Sequence, residues 1–173
     1  WPELYSYLKA PENSGGAWAF AQKQTGADRL TLGGAISANV HGRALTLAPI
    51  VADVESLRLV DSAGDVRTCS RSEEPELFSL VVGGYGLFGV VYSVTLRLVP
   101  RRKLERVVEV RSIEGLIAAF DERVRAGFLY GDFQFATDPD SDEFLSTGVF
   151  SCYRPAPDDA PMPAEQRALS LED

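Results

Sequence analysis

The sequence is poor in the side chains that most often carry polar chemistry by themselves. Its 173 residues include one histidine, one methionine and two cysteines. Cys69 and Cys152 lie far apart, without the spacing of a metal site or a redox pair, and are read as reduced core residues. No apolar run approaches the roughly 18 residues of a membrane span, and no signal-peptide pattern is visible. A cytoplasmic setting is therefore the expectation, with membrane association left open. Cationic residues are also in deficit, 17 Lys and Arg against 25 Asp and Glu, for a net charge of −8. A nucleic-acid binder needs a basic footprint to displace counterions from phosphates, so that class is excluded. The same deficit means that a phosphate-bearing ligand must be held by local donors, because the overall field repels it. The chain opens on Trp1 and stops at Asp173 within what reads as a helix, so a piece of a longer protein is expected.

What is present is enough for a core. Apolar residues make up 45% of the chain, an ordinary globular value. Pro2 starts a helix in which Leu4, Tyr7 and Leu8 share one face, and Pro11 stops it. Residues 54–60 alternate apolar with polar, residues 61–65 read as a turn, and Val66 to Cys69 return, which predicts a β-hairpin. Pro75 to Val82 reads as a short helix closed by Gly83-Gly84. Residues 89–99 form a long strand ended by Pro100, and Leu104 to Val110 another. Ser112 is positioned to cap a helix with Ile113, Leu116, Ile117, Phe120 and Val124 at helical spacing, and Gly127 to end it. Phe128 to Ala136 and Gly148 to Tyr153 read as strands, with Tyr130, Phe133 and Phe135 supplying aromatics to a packed face. Antiparallel strands with a few helices, and no regular βαβ alternation, give an α+β class.

Two glycine-rich segments are the most informative. Thr31-Leu32-Gly33-Gly34-Ala35-Ile36-Ser37-Ala38-Asn39-Val40-His41-Gly42 offers little side-chain area for a core, yet lets another group approach the backbone closely. Amides exposed in such a turn can cradle a pyrophosphate without net positive charge. The spacing is neither the dinucleotide fingerprint nor a P-loop, and a tight turn with close packing explains the pattern equally well. Gly83-Gly84-Tyr85-Gly86-Leu87-Phe88-Gly89 has its own bland reading, a helix C-cap followed by a bend. Two clusters flanking one hairpin make packing alone a less complete explanation.

These segments carry a resemblance. Residues 32–42 resemble the "GGAIA-n-n-HG" segment of FAD-linked oxidases of the vanillyl-alcohol oxidase/p-cresol methylhydroxylase type. Asp53 to Asp65 is similar to the strand and "ADG" turn that follow in that family. Glu76-Leu77-Phe78 with Gly83 to Val91 is similar to its "DLF…GG-x-G-x-x-G-I/V" element. The nearest members by motif are sugar- and alcohol-oxidising enzymes such as decaprenylphosphoryl-ribose 2′-oxidase. The resemblance implies that residues 1–100 are the second subdomain of a PCMH-type FAD-binding domain, an antiparallel sheet with flanking helices. Residues 101–154 would begin a substrate (cap) domain, and 155–173 form a Pro- and Asp-rich connector. It implies FAD as cofactor, an alcohol-type substrate, sugar-derived ones included, and hydride transfer to the flavin, with oxygen or another carrier as electron acceptor. It places Gly26, Thr31, Leu32, Gly33, Gly34, Ser37, Ala38, Asn39, Val40, His41 and Gly42 on the cofactor wall, and Val90 at its adenine end. No catalytic residue is assigned, since the family's general base and substrate ligands come from later in the chain, and the piece by itself is expected to bind FAD weakly. The alternatives are a non-catalytic flavin- or nucleotide-binding module, and a fold whose glycines serve packing alone.

Other features are weaker. A lone histidine such as His41 is more often a structural hydrogen-bonder than a catalyst; beside a flavin it would orient substrate or tune the ring. Where the family often continues Lys-Asn-His, this chain has Arg43-Ala44-Leu45, which weakens the sugar-type reading and leaves Arg43 as an anion partner or a solvated surface residue. Asp138 to Asp142 opens like a calcium loop but lacks its glycine and its final glutamate. Arg101-Arg102-Lys103 reads as a surface crossing, and Trp18 and Phe20 as core.

Overall fold

The computed structural model describes residues 1–13, 15–22 and 29–163. Helix α1 (Pro2–Lys9) begins where Pro2 supplies a fixed φ and lacks an amide that the first turn cannot use. Its buried stripe is Trp1, Leu4, Tyr5 and Leu8, packed toward Phe20, whose ring meets Trp1 and Tyr5 edge-on at 5.3 and 5.4 Å. Tyr7, expected on that face, is 59% exposed. The stripe is anchored one turn earlier, on Trp1, and the helical period then selects Tyr5. Trp18 likewise departs from the core expectation. It lies in the two-residue strand β1 (Trp18–Ala19) with its indole 46% exposed, while Phe20, beyond the strand's end, turns inward.

Helix α2 (Leu32–Ser37) is capped by Thr31, whose Oγ1 accepts from the Gly34 amide at 3.0 Å. A single 3-10 turn (Ile50–Asp53) then leads into β2 (Val54–Val60). The predicted hairpin forms with β3 (Val66–Ser70), its turn held by Asp61 Oδ1 accepting from Ala63 and Asp65. Helix α3 (Pro75–Val81) follows, and β4 (Val90–Leu96) pairs antiparallel with the other side of β2, giving the order β3-β2-β4. Ile36, Val54, Leu57, Leu59, Cys69, Phe78 and Val81 form the core of this unit.

The long strand expected over residues 89–99 is broken. Arg97 leaves the ladder because its amide donates to the Asp53 carbonyl at 2.8 Å, while its guanidinium holds the Asp53 carboxylate at 3.0 Å. The chain resumes as β5 (Val99–Pro100), which pairs with β1. At the start of β4, Gly89 sits at φ +133°, and a Cβ there would lie 2.6 Å from the Val60 carbonyl oxygen. Only glycine lets β4 enter the sheet at that point.

The second unit contains β6 (Leu104–Ser112), α4 (Leu116–Arg125), β7 (Tyr130–Phe135) and β8 (Thr147–Pro155), in the antiparallel order β6-β8-β7. Its core is Leu116, Ala119, Phe128, Phe150 and Cys152. Helix α4 starts later than expected. Ser112 ends β6 and its hydroxyl accepts from the Glu114 amide, while Ile113 is tied to Ser146; Gly115, at φ +68°, takes the cap position instead. On β7, Phe133 packs into the core and meets Phe135 at 4.9 Å, but Tyr130 has opposite parity and faces away from them. Its hydroxyl donates to the Ala21 carbonyl at 2.9 Å.

The architecture is α+β, with antiparallel sheets, as expected. The segment just after His41-Gly42 joins the two cores: the Leu45 amide donates to Leu129, the Gly131 amide to Arg43, and the Leu45 side chain enters the second core. No helix of the described residues is long and apolar enough to cross a membrane.

Both cysteines are free and buried, one in each core, and burial pushes each thiol's pKa up. Native protein should therefore leave Cys69 and Cys152 unreactive toward a thiol-disulfide reagent at mildly alkaline pH, with two equivalents titrating on unfolding. Leu57→Ala, in the fully buried β2 core, should cost about 2–5 kcal/mol in denaturant unfolding. The exposed Leu80→Ala should stay within about 0.5 kcal/mol.

Candidate cofactor-binding site

The two glycine segments are brought together. The carbonyl end of α2 is held by the second cluster: the Gly83 amide donates to Ile36 at 3.0 Å and the Tyr85 amide to Ser37 at 2.9 Å. At the other end of α2, Gly33 lies against β4, where a Cβ would stand 3.1 Å from the Val91 carbonyl oxygen. Close packing between protein backbones therefore accounts for part of the small-residue pattern.

Most amides of the first segment are already paired. Gly34 donates to the Thr31 hydroxyl, Ala35 to Thr31, Ala38 to Gly34, Asn39 to Ile36 and Val40 to Ala35. The Gly42 amide donates to Gln22 Oε1 at 3.1 Å. The expectation of a wall made wholly of bared amides is corrected accordingly. A helix leaves its first amides without intrahelical acceptors, and those of Leu32 and Gly33, like that of His41, bond no described residue. Ala35 and Ile36 are buried in the cores beneath.

The surface that remains is built from Thr31, Leu32, Gly33, Gly34, Ser37, Ala38, Asn39, Val40, His41 and Gly42, each exposed or half-buried. Gly26 lies outside the described residues. His41 is exposed, its Nδ1 3.0 Å from the Gly42 carbonyl oxygen, so one ring nitrogen is engaged locally. Val90 opens β4, which borders only β2 among the described residues and so presents a free strand edge; its side chain is 71% exposed. Arg43 is neither a free anion partner nor simply solvated: it meets Asp132 at 3.4 Å across the seam between the units.

Asn39 stands out within this surface. It adopts a left-handed conformation, φ 44°, one residue past the C-cap of α2. Its Oδ1 is buried and has no hydrogen-bond partner. A buried unpaired acceptor costs about 1–3 kcal/mol, and a left-handed residue other than glycine adds strain of about 1 kcal/mol. The orphaned acceptor lies past the end of α2, and the unpaired Leu32 and Gly33 amides lie at its start.

No family model matches the chain. Curated relatives do. Cytokinin dehydrogenase 6 of Oryza sativa subsp. japonica is 39% identical over 83 residues, 47% of this chain and 16% of that protein. Cytokinin dehydrogenase 1 of Arabidopsis thaliana is 35% identical over 82 residues, 47% of this chain and 14% of that protein. D-arabinono-1,4-lactone oxidase of Candida albicans is 30% identical over 91 residues, 53% of this chain and 16% of that protein. The matched segments thus span about a sixth of the length of these relatives. These relatives are FAD-dependent oxidoreductases, members of the FAD-linked oxidases. The similarity supports that superfamily and does not single out the decaprenylphosphoryl-ribose oxidase subgroup.

One structural residue escaped the sequence reading. Gln22 is 4% exposed; its Nε2 donates to Ala48 at 2.7 Å and its Oε1 accepts from Gly42. It fixes both ends of the turn that follows His41. A glutamine next to a Gly-containing loop carries no periodic signal, and only the contact over 20 residues reveals it. Gln22→Leu should leave the Gly42 amide and the Ala48 carbonyl unpaired and lower unfolding free energy by about 1–3 kcal/mol. Chemical denaturation followed by circular dichroism would measure this.

Proposed function

We propose that the chain supplies one wall of an FAD site in a flavin-dependent oxidoreductase. The observation that carries the reading is that both ends of α2 leave polar groups unsatisfied, the Leu32 and Gly33 amides at its start and the Asn39 Oδ1 and His41 amide after its end, next in the fold to β4, whose outer edge pairs with no described strand. These groups suit an extended dinucleotide. Free amides suit pyrophosphate oxygens in a chain whose net charge is −8. A strand edge suits the paired donor and acceptor of an adenine. The dehydrogenase and oxidase relatives and the motif order support the same assignment.

In this proposal Gly33 and Leu32 present their amides and Ser37 its hydroxyl, Thr31 and Gly34 fix the turn, and Asn39 would turn its covered Oδ1 outward to serve as an acceptor. Gly26, Ala38, Val40 and Gly42 complete the wall through backbone contact, and His41 flanks it. When bound, FAD would supply the electron sink for the hydride, with its two electrons, that leaves the substrate. The protein's part is to hold the wall rigid: α2 is locked at its carbonyl end by Gly83 and Tyr85, and the loop after His41 by Gln22. The domain partition at about residue 100, the cytoplasmic setting and an alcohol-type substrate belong to the proposal. The relatives' names point to different substrates, a cytokinin and a D-arabinono-1,4-lactone, so the substrate is kept broad. Oxygen or another carrier would reoxidise the cofactor.

The test is Asn39→Gly in the intact protein, followed by flavin absorbance and by thermal unfolding without flavin. Glycine relieves the left-handed strain and removes the orphaned acceptor, so the flavin-free fold should be as stable as the parent or up to about 1 kcal/mol more so. Flavin affinity should fall about tenfold. Unchanged affinity, or a parent protein that never retains flavin, would remove the proposal. Retained flavin that no substrate bleaches would favour a non-catalytic binding module.

A further inference from the structure

A concavity lined by none of the glycine-segment residues lies where the two units meet. It has a volume of about 300 Å³ and is walled mainly by apolar groups: Phe20, Leu47, Val99, Pro100, Leu104 and Leu129. Ala19 and Ala21 leave room on one side. Its polar features are of one kind. Arg101 and Arg102 stand at its lining, both exposed, and neither forms an ion pair with a described residue. The neighbouring Lys103 is already engaged by the carbonyls of Asp158 and Ala160. The remaining polar side chain is Tyr130, whose hydroxyl donates to Ala21 and keeps its lone pairs, and no acidic residue lines the space.

Two adjacent guanidiniums, with no ion pair to a described residue, line this apolar crevice in a chain with eight excess negative charges. Six other arginines are ion-paired, Arg43, Arg67, Arg97, Arg111, Arg123 and Arg154, Arg71 and Arg106 bond carbonyl or hydroxyl oxygens, and Arg58 lies over the Tyr92 ring, whereas the guanidiniums of Arg101 and Arg102 have no such partner among the described residues. An apolar cavity of about 150 Å³ is large enough for benzene, so about 300 Å³ accommodates an eight-carbon chain. Guanidinium is the group best matched to a carboxylate, which it can bind through two parallel N–H donors.

We propose that this crevice is a binding site for a single-tailed aliphatic carboxylate, its tail against Phe20, Leu47, Val99 and Leu129 and its head on Arg101 and Arg102. The site is separate from the flavin wall and does not depend on that assignment. Because its walls come from β1, β5, the loop after His41 and the start of β7, an occupant would brace the seam between the two units. Covering the apolar walls supplies the affinity, and the head group supplies the selection.

Isothermal titration of the intact protein with octanoate, octan-1-ol and acetate tests this. Octanoate should bind saturably, at least about fivefold tighter than octan-1-ol, a margin in keeping with two exposed cations; acetate should give no saturable heat. The double substitution Arg101→Gln and Arg102→Gln, on the surface and outside any core, should abolish the preference for octanoate while leaving octan-1-ol binding unchanged. Leu47→Trp, which fills the crevice from a half-exposed position, should remove binding of both. No saturable heat with octanoate, equal binding of octanoate and octan-1-ol, or octanoate binding that survives Leu47→Trp would each overturn the proposal.

Discussion

The structure depends on one interlock, the seating of α2 between β4 and the bend that follows α3. Helix α2 has only six residues, too few to hold itself in water. Its stability comes from its ends. Thr31 closes the first turn, Gly83 and Tyr85 donate to the last carbonyls, and Ile36 is driven into the core of the β3-β2-β4 sheet. Gly33 approaches the Val91 carbonyl so closely that a Cβ would stand 3.1 Å from its oxygen, a tight contact, and the entry of β4 beside Val60 requires Gly89. Each glycine cluster thus makes the other's position attainable. The surface that faces outward from this interlock is rigid as a consequence, which is what a site needs if it is to bind without reorganising.

A second constraint follows at the end of that surface. Residues 43–45 cross to β7 and pair with its first residues, carrying Leu45 into the second core and Arg43 onto Asp132. The candidate wall therefore ends where the second unit begins, and a change in the angle between the units would be felt directly at His41 and Gly42. Gln22 opposes such a change from behind, bonding Gly42 and Ala48 together.

Much of this was legible in the residues, and the failures share a cause. The hairpin, α3 and the sheet of the second unit follow from period and turn chemistry that act over a few residues. The break at Arg97 was not legible, because the apolar alternation runs straight through it; the strand is interrupted by Asp53, 44 positions earlier. Tyr7 and Trp18 depart from the sequence pattern for a related reason, since the phase of each stripe is set by a neighbour outside its own segment. The candidate surface was readable as a run of small residues, yet which amides were free was not. That depends on Gln22 and on the second glycine cluster, both distant in sequence.

The structure also changes what the glycine run can be taken to mean. If every small residue in it were accounted for by internal packing, a fold with no ligand would explain the sequence fully. Gly33 is accounted for in part, since a Cβ there would press on the Val91 carbonyl, and in the second cluster Gly84 and Gly89 are accounted for fully, since backbone oxygens occupy the space a side chain would need. Asn39 is not. Nothing in the packing requires an asparagine there; glycine would adopt φ 44° with less strain and would bury no unpaired acceptor. A protein that keeps a strained, unsatisfied side chain between two well-satisfied turns gives up stability at one point without a structural return. Strain of this kind clusters where a ligand is clamped, and here it lies two residues before His41, whose amide bonds no described residue, at the end of α2 opposite to its unpaired first-turn amides. A cofactor wall is therefore marked less by the glycines than by Asn39, the residue in their midst that packing leaves unexplained.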